Sequence, residues 1–194
     1  MRILLASASQ RRAEILAKRF PDVRQKALEG VNERVPRGPI SQQVEQVAAR
    51  KADSVEINDE ADVFVVADTL VEDPDDHWEA LGKPSTKHEA TTMLLRLRGS
   101  RHRVWSATML YVAGQWQTSV ESALVEIEEF SDDDLIELIE SNSWVGKAGG
   151  YDLAGMMGQY ATLIEGSEST VLGFTQTSLD LLEEIQSLFS ISRS

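Results

Sequence analysis

Hydrophobic and polar positions follow two rhythms along this chain, and each switch between them marks an element. Arg2 to Ala6 is a short apolar run closed by a serine-rich turn, as in a buried strand. Ala13, Leu16, Ala17 and Phe20 then recur at helical spacing, and Pro21 ends that helix. A weak strand over Val23 to Leu28 leads into a loop carrying Gly30, Glu33, Pro36, Gly38 and Pro39. Ser41 is the expected N-cap of a second helix, with Val44, Val47, Ala48, Ala52 and Val55 on one face. Val63 to Asp68 is almost continuously apolar, the pattern of a strand covered on both sides. The turn Glu72 to Asp76 and the return from Trp78 to Leu81 predict a hairpin.

A third helix is expected from Thr86 to Leu97, with Ala90, Met93, Leu94 and Leu97 inward and Gly99 as its stop. His102 to Val112 and Gln117 to Ile127 read as an antiparallel pair joined at Gly114. Ser131 and Asp134 form a capping box for a helix whose inner face is Leu135, Leu138 and Ile139. A glycine-rich stretch runs from Gly146 to Gly158, and a last helix presents Leu181, Leu182, Ile185, Leu188 and Phe189. Helices and strands are interleaved, so the expected fold is α/β: a twisted mixed β-sheet with flanking helices, in one domain over residues 1–194.

Composition narrows the function. The chain is 42% hydrophobic and 26% charged, a globular balance. No window approaches the roughly 20 apolar residues of a membrane span, and the first apolar run stops at Ala6, short of a secretory h-region. Cysteine is absent, which removes thiolate metal sites and fits a cytoplasmic setting. A net charge of −13 argues against nucleic acid and anionic membranes as partners. A small anionic ligand remains open if the scarce cations are gathered locally.

Several standard sites are missing. Leu81-Gly82-Lys83-Pro84 lacks the upstream glycine and the Ser or Thr of a phosphate-binding P-loop. His77, His88 and His102 have no metal-ligand spacing. Three other features do suggest phosphate chemistry. Ser7, Ser9, Arg11 and Arg12 lie between a strand and a helix, where helix-start N–H groups, hydroxyls and guanidinium forks favour an anion. Taken alone, that segment reads equally well as a serine cap followed by two solvated arginines. Asp68 ends an apolar strand at the sheet rim, a place for a proton acceptor or metal ligand. Lys51 interrupts the apolar face of the second helix, while Lys83 and Lys147 stand beside glycines, and lysine serves phosphate as a point charge.

At these residues the chain resembles the Maf family of septum-formation inhibitors and nucleotide pyrophosphatases. Ala6-Ser7-Ala8-Ser9-Gln10-Arg11-Arg12 is similar to the family's opening Ala-Ser-x-Ser-Pro-Arg-Arg. Asn32-Glu33, Ala48-Ala49-Arg50-Lys51-Ala52, Ala67-Asp68-Thr69, Leu81-Gly82-Lys83-Pro84 and Lys147-Ala148-Gly149-Gly150-Tyr151 follow in family order. The resemblance implies two lobes around a central cleft, a nucleoside triphosphate substrate, a divalent cation (Mg²⁺ or Mn²⁺) and a homodimer. It implies catalytic roles for Asp68, Lys51 and Lys83, and a metal held by Asp68 and Glu33. Ser7, Ser9, Arg11, Arg12, Thr69 and Lys147 would bind substrate. The implied reaction releases pyrophosphate and a monophosphate from a pyrimidine or modified nucleotide.

Gln10, Asn32, Val66, Gly146 and Ala154 depart from the pattern, and Ala154 stands where pyrimidine-specific members have a base-reading glutamine. Asn32, Val66 and Ala154 keep open a nucleotide-binding regulator of division with weak or no hydrolysis. A purely structural protein would leave Lys51 unexplained.

Overall fold

The computed structural model describes residues 1–58 and 60–191, so the end of the domain expected to reach residue 194 lies outside the described residues. A seven-stranded mixed sheet forms the centre. Its order is β2 (Val23–Gln25), β1 (Ile3–Leu5), β3 (Val63–Asp73), β5 (Arg101–Val112), β6 (Gln115–Ile127) and β7 (Ala161–Glu165), with β4 (Asp76–Leu81) also paired to β3. β1 runs parallel to β2 and β3; every other pairing is antiparallel. Among the described residues no helix is long and apolar enough to cross a membrane.

Three apolar clusters hold this frame. On one face, α1 (Gln10–Arg19) and α6 (Gln176–Ile191) bring Leu16, Phe20, Leu179 and Leu182 against Ile3, Val63 and Val65. On the other face, α2 (Ile40–Asp53) lays Val44, Ala48 and Ala52 over Val66, Ala107 and Met109. α3 (Lys87–Leu97) and α4 (Asp132–Glu140) build a second lobe with Leu94, Leu97, Leu135 and Leu138 on Val104, Val125 and Ile127. Each fully buried Leu, Val, Ile or Phe among them contributes about 1.5–3 kcal/mol. β3 and β5 are long enough to run through both lobes.

Most expected elements are present, including the capping box at Ser131 and Asp134. The differences have local causes. α2 begins at Ile40 after Pro39 and has no side-chain cap, so Ser41 is not its N-cap. The predicted strand Val23 to Leu28 stops at Gln25, where β1, its only partner among the described residues, has also ended. α6 packs through Ser178, Leu179, Leu182 and Ile185, and leaves Leu188 exposed on its last turns. β7 and the five-residue helix α5 (Glu168–Leu172) were not expected.

One buried pair ties the second lobe to the sheet. His102 Nε2 lies 2.8 Å from the Tyr151 hydroxyl, with the rings edge-to-face. Burial lowers the His102 pKa to about 4 and pushes the Tyr151 pKa up. An unfolded imidazole titrates near 6.5, so below that pH the unfolded chain takes up a proton the fold refuses. This contribution is fully present above pH ~6.5 and is lost as pH falls towards about 4. Between pH 7 and pH 4.5 it amounts to about 2–3 kcal/mol. Urea unfolding of the native chain and His102→Gln at both pH values should show that difference. A variant with an unaltered pH dependence would refute it.

Candidate active site

The cleft arises from a gap in strand pairing. β1 pairs with β3 as far as Val65, and β4 takes up the same edge only at Val71. Among the described residues, the stretch from Val66 to Leu70 therefore has no strand beside it on that edge, and it carries Asp68 and Thr69. A cavity of about 580 Å³ opens there. Ser7, Ser9, Arg11, Arg12, Glu33, Lys51, Asp68, Thr69, Lys83 and Lys147 all line it. Five cations from four separate segments thus converge in an acidic protein.

Asp68 and Lys51 form its centre. Lys51 follows Val44, Val47 and Ala48 on the sheet-facing side of α2, so its stem lies over β3. Its ammonium is 2.6 Å from Asp68 Oδ1 and 2.8 Å from Glu33 Oε1. The Lys51 and Asp68 side chains are only 12% and 9% exposed, so this is a shielded ion pair. Glu33 comes from the loop before α2, and Arg50 braces that loop by donating to the carbonyls of Asn32 and Arg34. Partial burial of Glu33 opposes its charge. The Lys51 hydrogen bond and the charges of Lys51, Lys83 and Arg12 outweigh that, holding its pKa below the ordinary value.

The serine–arginine turn divides its labour. Ser7 Oγ accepts from Ser9 N, and Ser9 Oγ caps α1 by accepting from Arg12 N. Arg12 turns inward: its guanidinium donates to Gly173 O, Ala67 O and Thr69 Oγ1, each at 2.9 Å. It fills the gap that β1 leaves beside Ala67, and so shapes the cleft from behind. Desolvation lowers its pKa, against the raising effect of Asp68 and Glu33.

On the opposite rim, Arg11 and Lys147 share Asp152. Asp152 is a residue the sequence did not single out. It is fixed by accepting Ala154 N at Oδ1, which leaves Oδ2 for the two cations. Lys83 is exposed and makes no ion pair with a described residue. Its loop is pinned to the glycine-rich stretch by Gly149 N–H donating to Gly82 O. Gly149 has φ +67°, and a Cβ there would lie 3.1 Å from Val71. Only glycine lets that loop close on β3 without strain.

Among the described residues no group of three or more His, Cys, Asp or Glu could hold a metal. Mg²⁺ is commonly held by one or two carboxylates together with substrate phosphates and water. Asp68 and Glu33, already drawn to one cation, fit that mode and not a closed protein cage.

A sequence model of the family described as Maf-like protein matches residues 2–185. The chain belongs to the Maf family. Similar curated proteins include the dTTP/UTP pyrophosphatase of Clostridium beijerinckii, 31% identical over 96% of this chain and 100% of that one. The dTTP/UTP pyrophosphatase of Ruegeria sp. is 34% identical over 89% of this chain and 88% of its own. That of Pyrococcus abyssi is 32% identical over 88% and 89%. Among solved structures, the Staphylococcus aureus Ham1 protein matches 66% of this chain and 72% of its own with a TM-score of 0.40 and 13% identity.

Proposed function

We propose that this Maf-family chain hydrolyses a pyrimidine or modified nucleoside triphosphate to the monophosphate and pyrophosphate. The observation that carries the reading is the Lys51 ammonium held between Asp68 and Glu33 in a cleft edged by further cations. The names of the three relatives above, each a dTTP/UTP pyrophosphatase, favour a pyrimidine.

Asp68 Oδ1 is engaged by Lys51, so Oδ2 is the oxygen left to take a proton from water. That water attacks the α-phosphorus, and the bond to the bridging oxygen breaks with its electron pair leaving on pyrophosphate. Lys51, 2.6 Å from Oδ1, holds the Asp68 carboxylate in place. Lys83, Arg11 and Lys147 offset the charge that develops on phosphate oxygens. A divalent cation, when bound, would be held by Asp68 and Glu33 and would neutralise phosphate charge. The reading carries with it a cytoplasmic setting, supported by the lack of cysteine, and a homodimer, supported by the family resemblance.

The test is pyrophosphate release across natural and modified triphosphates with Mg²⁺ or Mn²⁺. At least one should be turned over to monophosphate and pyrophosphate. Binding by thermal shift without turnover of any of them would instead support the nucleotide-binding regulator.

A further inference from the structure

Behind Thr69 lies a chain of hydroxyls whose donor directions are fixed by chemistry. Ser106, fully buried on β5, has its Oγ 2.7 Å from Thr170 O and 2.8 Å from Thr69 Oγ1. A carbonyl cannot donate, so the single Ser106 proton goes to Thr170 O. Ser106 must therefore accept from Thr69, which commits the Thr69 proton. Arg12 Nη2 also donates to Thr69 Oγ1, at 2.9 Å, and a guanidinium has no acceptor. One lone pair is all that the Thr69 hydroxyl has left for the cleft it lines.

Phosphate oxygens at neutral pH are acceptors and find no donor at that point. The cationic rim of Lys83, Arg11 and Lys147 serves them instead. A sugar hydroxyl or a ring N–H of a pyrimidine is a donor and matches the lone pair. We propose that Ser106 is a positioning residue that holds the Thr69 hydroxyl as an acceptor only, so that this part of the cleft takes the nucleoside and refuses phosphate. The inference rests on the nucleotide-binding reading above and sets the orientation of the substrate within it. The hydroxyl chain joins three segments: the stretch of β3 whose outer edge is open, its register partner in the middle of β5, and helix α5.

Calorimetric binding of UTP and of inorganic tripolyphosphate tests it, using the full chain, Ser106→Ala, Thr69→Val and Thr69→Ser. UTP should bind the native chain more tightly than tripolyphosphate. Ser106→Ala and Thr69→Val should weaken UTP by roughly threefold to tenfold, the loss of one neutral hydrogen bond. Tripolyphosphate affinity should stay within twofold or improve. Thr69→Ser, which keeps the hydroxyl, should stay near the native chain. Where turnover is measurable, the change should fall on KM, with kcat within twofold. Three results would overturn the proposal: equal weakening of both ligands, unchanged UTP affinity in the two variants lacking a hydroxyl, or no advantage of UTP in the native chain. If Thr69→Val fails to fold, Ser106→Ala alone decides between them. Because binding is read directly, a chain that holds UTP without hydrolysing it sinks the hydrolytic reading and leaves this one standing.

Discussion

Asp68→Asn should lower kcat for pyrophosphate release by about 10²–10⁴-fold, the range expected when a positioned general base is removed. The amide keeps the shape of the carboxylate but cannot take a proton from water at neutral pH. The fold should survive. Breaking a buried ion pair is costly when it strands the partner charge, about 3–5 kcal/mol. Here the Lys51 ammonium keeps Glu33 Oε1 at 2.8 Å, so it is not stranded. Melting temperature should accordingly change little while turnover collapses. Single-turnover pyrophosphate release and thermal unfolding measure the two quantities side by side. A variant that keeps more than a tenth of native turnover would remove Asp68 from the chemistry.

Lys51 and Asp68 stood out as candidates in the sequence because Lys51 breaks an apolar helix face and Asp68 ends an apolar run, while the catalytic role itself came from the family resemblance. Both breaks are local and both point at the same place. What could not be read was why the place exists. The sequence suggested that the strand ends at Asp68, since polarity changes there. In the structure β3 continues to Asp73, and it is β1 that ends. A strand's own residues do not say where its neighbour stops. Arg12 likewise carries no mark of its inward role, because two of its acceptors, Gly173 and Ala67, lie 161 and 55 residues away. Asp152 was hidden among glycines, and its meaning comes only from the cations that close on it. β7 was missed because it is a half-exposed edge strand without strict alternation, and α5 because five residues are too few to show a helical face. The residues around Ser9 fit an N-cap and a phosphate-binding turn equally well; in the fold Ser9 is the N-cap and also lines the cleft.

Arg12→Ala should destabilise the protein by about 3–5 kcal/mol, placing it among the largest single-residue effects. Three charge-assisted hydrogen bonds disappear together, and the carbonyls of Ala67 and Gly173 lose their donor in a buried setting. Among the described residues no strand covers that edge of β3, so Ala67 O depends on Arg12 for its donor. Lysine cannot substitute, since one ammonium cannot span three acceptors that a planar fork reaches at once. Arg12→Lys should therefore recover less than half of the loss. Gly173→Ala should cause a similar defect from the other side: the residue has φ +116°, and a Cβ would lie 2.8 Å from Arg12 Nε. In a chain of this size about 1 kcal/mol corresponds to a shift of roughly 2–4 °C, so Arg12→Ala should melt about 10 °C lower, by circular dichroism, with or without nucleotide. A shift below about 3 °C would mean that the guanidinium does not hold β3 to the Gly173 turn, and Arg12 would return to the role of a phosphate ligand.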